Sequence, residues 1–129
     1  MYKLFSSGAA SLCAAIWASS SFWTSESLRS VDAIEGCIDI DIAATPFTNT
    51  LPIRRLQLTE GERRPIAVAY ISTPELQVTR AEQAYTCLAL NREYRYEGIF
   101  RNFTADMQVD EDGLVIDYPT LFTRLPRTR

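Results

Sequence analysis

The chain has 129 residues, 47% of them hydrophobic and 22% charged, with a formal net charge of -3. That size fits one domain with its own core, and the composition is that of a folded globular protein. It contains no histidine, which excludes a Ser-His-Asp triad, a Cys-His pair and any imidazole metal site. Its basic residues are scattered (Arg54 and Arg55, Arg63 and Arg64, Arg124, Arg127 and Arg129), with no basic stripe interleaved with aromatics, so nucleic acid is not an expected partner.

Residues 1–22 form a segment of their own, signal-like or unrelated to the rest of the chain. Lys3 precedes a loosely apolar run to Ala18, with small residues after it, but Ser6, Ser7, Gly8 and Ser11 dilute that run. It is too short and polar to span a bilayer. A cytoplasmic location is the expectation, with export as the alternative if this segment is a signal peptide. Cys13, Cys37 and Cys87 show no paired spacing; Cys37 and Cys87 read as buried small apolar residues, Cys13 lies in the N-terminal stretch, and a reduced compartment is favoured.

From Trp23 onward the signal is strand and turn. Ile38, Ile40 and Ile42 alternate with Cys37, Asp39 and Asp41, the period-two pattern of a half-buried strand. The stretch from Thr45 to Pro52, with two prolines and polar turn formers, ends that strand. Thr59 to Glu62 then turns the chain between two extended runs, Ile53–Leu58 and Ile66–Ser72. Residues Leu76 to Asn91 fit two patterns. Thr79 and Glu82 could form a capping box on a helix, whereas period two puts Gln77, Gln83 and Tyr85 on one strand face. Tyr94 and Tyr96 share a face of the run Glu93–Glu97. Phe103–Val109 and Leu114–Tyr118 flank Asp110-Glu-Asp-Gly, a hairpin signal because glycine takes positive φ cheaply. Its likeness to a calcium loop fails on ligand spacing. Hairpins in succession without βαβ spacing predict a mainly β fold built on an antiparallel sheet with few short helices.

Two constellations carry possible chemistry. Asp39 and Asp41 share a strand face and could serve a hydrolase-type reaction; as a solvated or ion-paired face, they would meet Arg54 or Arg55. Asn49, with Arg54 or Arg55 as a planar donor fork, and the tyrosines Tyr85, Tyr94 and Tyr96 with Gln83 suit a groove that holds an apolar chain beside a polar headgroup.

The order and spacing of several stretches resemble the glycolipid-binding family, formerly a domain of unknown function. They are Gly36-Cys-Ile-Asp-Ile-Asp-Ile, Thr45-Pro-Phe-Thr-Asn-Thr-Leu-Pro-Ile-Arg-Arg-Leu, Glu82-Gln-Ala-Tyr, Tyr94-Arg-Tyr, and Phe103 through Asp110-Glu-Asp-Gly to Phe122. The resemblance covers Trp23 to about Leu125. It implies a curved antiparallel sheet, an incomplete barrel like that of bacterial lipoprotein carriers, with strand for Leu76–Asn91. It implies a lipid or glycolipid as the partner, no cofactor and no catalytic residue. As a binding module, the chain would hold the ligand on the concave face at the residues read above: Asn49, Arg54, Arg55, Gln83, Tyr85, Tyr94 and Tyr96. Residues 23–129 would be the C-terminal part of such a domain, since family members carry further strands before the position of Trp23. The alternatives are a hydrolase using Asp39 and Asp41, and a truncated remnant that binds nothing.

Overall fold

The computed structural model describes residues 2–4 and 33–126. The signal-like run after Leu4, Cys13 and Trp23 lie outside the described residues. Eight strands form one sheet: β1 (Tyr2–Leu4), β2 (Asp39–Ile42), β3 (Arg63–Ile71), β4 (Val78–Ala89), β5 (Glu93–Gly98), β6 (Phe103–Val109), β7 (Val115–Tyr118) and β8 (Phe122–Arg124). Their order is β1-β8-β7-β6-β5-β4-β3-β2, and the sheet curls into an open half-barrel. The expected curved, mainly β fold is what forms, with strand rather than helix over Val78–Ala89.

Turn chemistry fixes much of the register. The Asp110 carboxylate accepts from the amides of Asp112 (3.1 Å) and Leu114 (2.9 Å), and Gly113 takes φ +74°. This closes the β6–β7 hairpin predicted from Asp-Gly. A side chain on Gly113 would meet Ile53 Cγ2 at 3.3 Å, so the same glycine lets the segment around Ile53 pack against the turn.

Two sequence expectations are corrected. The segment read as a turn followed by an extended run, Thr45 to Leu58, is largely a helix, α1 (Phe47–Leu56). Pro46 caps its start with φ -77°, and the Thr45 hydroxyl accepts from the Phe47 amide at 3.2 Å. Pro52 lies inside the helix; what decides the conformation is that Asn49, Pro52 and Ile53 recur at helical spacing and bury together. Arg54 and Arg55 therefore sit on one helical turn, not on an extended run. Helix α1 also makes β2 run parallel to β3, a β–α–β crossover within an otherwise antiparallel sheet.

The second correction concerns β2. Its alternation is as expected, but the burial is inverted: Asp39 and Asp41 are 5% and 9% exposed, whereas Ile38 is 75% exposed. Registered against Val68 and Tyr70, the two aspartates point to the concave side under α1. The core fills that same side with Leu58, Tyr85, Cys87, Tyr94, Tyr96, Met107, Val115, Tyr118 and Phe122. The convex face of the central strands carries exposed ion pairs, Arg63–Glu97 and Arg95–Asp106.

Candidate functional site

Helix α1 lies on the concave face, and its N-terminal half closes a polar network over the sheet. The Tyr85 hydroxyl donates to Asn49 Oδ1 at 2.8 Å, and Asn49 Nδ2 donates to the Pro46 carbonyl at 3.3 Å. Next to this pair, Gln83 Nε2 donates to Asp41 Oδ2 at 2.5 Å, and the Thr48 hydroxyl lies 3.3 Å from Asp41 Oδ1. Strand alternation puts Gln83 and Tyr85 on one face of β4, and Tyr85 pairs with Tyr96 across to β5. The sequence thus assembles four of the expected residues (Asn49, Gln83, Tyr85 and Tyr96) into one buried cluster.

Burial sets the protonation of this cluster. Desolvation raises the Asp41 pKa above the ordinary carboxylate value, against the opposing pull of the Gln83 amide and the Arg101 charge. Desolvation likewise pushes Tyr85 well up, and it pushes Tyr96 to about 12. Both phenols stay neutral near pH 7 and can serve as donors or acceptors. Gln83 Oε1 is buried and meets no donor among the described residues, an arrangement that ordinarily costs about 1–3 kcal/mol.

The remaining expected residues lie elsewhere. Arg55 forms a bidentate pair with Asp39, its Nη2 2.5 Å from Oδ2. Arg54 reaches the Asp112 carbonyl at 3.5 Å and shares with Tyr94 a shallow cleft of about 330 Å³ beside the β6–β7 turn. The structure therefore does not gather the seven residues into one groove. The ion-paired reading of Asp39 is the one observed, and its carboxylate is engaged by Arg55. No cluster of three or more metal-type ligands occurs among the described residues.

Three residues outside the seven expected ligand-binding positions stand beside this cluster. Tyr70, Phe100 and Arg101 meet there. The Arg101 guanidinium lies 3.4 Å from the Tyr96 hydroxyl and 3.5 Å from that of Tyr70. It is also 5.0 Å from the Phe100 ring centre and 5.4 Å from that of Phe103. The only sequence signal for it is Gly98, because a side chain there would meet Tyr96 Oη at 3.0 Å and Arg101 Nε at 3.3 Å.

Comparison with known proteins bears on this geometry. The family described as "Putative glycolipid-binding" matches residues 14–124, most of the chain. The chain belongs to this glycolipid-binding family. Among solved structures, the chain is similar to a DUF1089-family protein from Pseudomonas aeruginosa, at 52% identity and a TM-score of 0.70. That match covers 73% of this chain and 51% of the other, so the chain spans about half the length of that protein. Among curated proteins none matches. The resemblance read from the sequence is thereby borne out.

Proposed function

We propose that the chain is a binding module, not an enzyme, and that it holds an amphipathic small molecule of lipid or glycolipid type on the concave face. The observation that carries this reading is the pairing of two surfaces in one place. Tyr70, Phe100 and Phe103 form a partly exposed aromatic wall, and directly beneath it lie the buried polar groups of Asp41, Gln83 and Tyr96. An apolar chain would lie along the rings, with its polar headgroup at the polar edge of that wall. The family description supports the ligand class. Tyr85 and Asn49 then act from below, holding α1 on the sheet. Arg54 and Tyr94 lie outside this surface, at the cleft by the β6–β7 turn.

The hydrolytic alternative has less support. A pair of carboxylates serves acid–base chemistry when both are free to exchange protons with a substrate. Here Arg55 grips Asp39 with two nitrogens, while Asp41 is fastened to Gln83. No helix among the described residues is long and apolar enough to cross a membrane. We keep the cytoplasm as the compartment, on the packing of Cys87 as a free apolar thiol in the core.

Native mass spectrometry of the chain purified from a lipid-containing host tests the binding reading. The expected spectrum contains a species heavier than the chain by the mass of one lipid, which collisional activation releases as an intact small molecule. A bare chain that also takes up no fluorescent fatty acid would sink the proposal.

A further inference from the structure

We propose that Arg101 is the headgroup anchor of this surface and that the ligand is an anionic amphiphile bearing a phosphate or carboxylate; the inference rests on the reading of the chain as a binding module. Arg101 differs from most of the described arginines in its company. Arg55, Arg63, Arg64, Arg80, Arg95 and Arg124 each meet a carboxylate, whereas Arg101, like Arg54 and Arg92, has none within ion-pair distance among the described residues. Its guanidinium is framed instead by three rings, those of Tyr70, Phe100 and Phe103, and by two tyrosine hydroxyls. Rings fix the plane of the guanidinium without using up its donor fork, because cation–π contact acts on its face and hydrogen bonding on its edge.

The backbone places Arg101 there by construction. A single turn of 3-10 helix, Ile99–Arg101, connects β5 to β6, and Asn102 ends it with φ 50°. Asparagine tolerates that left-handed conformation better than most residues. The turn brings Arg101 back over Tyr96, and the missing side chain at Gly98 leaves the room. Asp41 is the charge that faces it from β2, with the Tyr96 hydroxyl between the two. That carboxylate is buried and already accepts from Gln83, so it leaves the outer edge of the guanidinium to solvent. A planar fork beside an aromatic wall suits a bidentate anion attached to an apolar chain.

Isothermal titration calorimetry with three probes tests this: dodecyl phosphate, the uncharged dodecyl maltoside, and inorganic phosphate. Wild type is expected to bind dodecyl phosphate most tightly and inorganic phosphate most weakly. Arg101→Gln is expected to weaken dodecyl phosphate by about tenfold or more while leaving dodecyl maltoside unchanged. Arg101→Lys keeps the charge without the planar fork and is expected to fall between the two. Matching thermal melts establish that the variants are folded. Equal losses for both amphiphiles, or no loss for either, would overturn the anchor while leaving the binding module standing. Inorganic phosphate binding as tightly as dodecyl phosphate would show an anion site without a chain-binding surface. Failure of wild type to bind either amphiphile would remove the binding reading itself.

Discussion

Replacing Tyr96 by alanine is expected to lower the free energy of unfolding by about 3–5 kcal/mol, the usual cost of truncating a large buried aromatic. Tyr96 is 1% exposed and central to the ring cluster. Its centroid lies 5.6 Å from Tyr85, 6.0 Å from Tyr118 and 6.2 Å from Phe103. Those neighbours come from three different strands, so collapse around the void would have to move the sheet. Since domains of this kind are stable by only about 5–15 kcal/mol, the variant stands near the edge of folding. Urea unfolding followed by tyrosine fluorescence measures the loss. A midpoint close to that of wild type would show that the rings do not form one packed cluster. For the same reason a loss of ligand uptake in Tyr96→Ala says little about contact with the ligand. Tyr96→Phe is the variant that addresses it: it keeps the ring and removes only the hydroxyl that accepts from Arg101.

Exchanging Asp41 for asparagine is expected to stabilise the chain at neutral pH and to change how its stability responds to acid. Burial raises the folded-state pKa of Asp41 above its ordinary value, so between the two values the folded state binds the proton more tightly than the unfolded state does. Stability from this group therefore falls as pH rises through that window, and it is restored as the group protonates. Asp106 and Asp110 act in the opposite sense. Arg95 holds the Asp106 pKa low; at Asp110, burial opposes but is outweighed by Arg124 and the turn amides, so their contribution is lost in acid. Asparagine keeps the network, because its carbonyl can accept from Gln83 Nε2 while its amide donates to the Thr48 hydroxyl, which in turn can donate to the Thr45 carbonyl. Thermal melts from pH 3 to pH 8 are expected to show Asp41→Asn above wild type at the neutral end, with the gap closing as pH falls (about one protonation of one group). A variant less stable than wild type at neutral pH would mean that the Asp41 charge itself holds the network together.

Most of the sheet is legible in the sequence because its strands obey period two and its turns carry glycine at positive φ. Gly61 and Gly113 mark two of those turns, and Tyr94 and Tyr96 share a face as read. The β2 strand shows the limit of that reading. Alternation establishes that Asp39 and Asp41 share a face, but not which face is inside. The answer depends on Arg55 and Gln83, which are remote in sequence and supply the partners that let carboxylates be buried. Helix α1 is hidden by Pro52 in its interior, which weighs against a helix locally and is overridden by the burial of Asn49 and Ile53 against the sheet. The candidate site is legible in part. Gln83, Tyr85, Tyr96 and Asn49 come together as a cluster, whereas the helix carries Arg55 to Asp39 and Arg54 to the β6–β7 turn. Arg101 is not legible, since its meaning depends on a loop folding back over a glycine, which no periodicity records.

We take the concave face, and not the convex one or the clefts near α1, to receive the ligand. Backbone amide shifts during a titration with dodecyl phosphate test it most directly. Changes are expected at Tyr70, at Ile99 to Phe103 and at Gln83, while Thr86, Arg95 and Asp106 on the convex face stay fixed. Shifts confined to the exposed strip of Ile38 and Ile40, or to the cleft beside Arg54 and Tyr94, would put the ligand off the concave face.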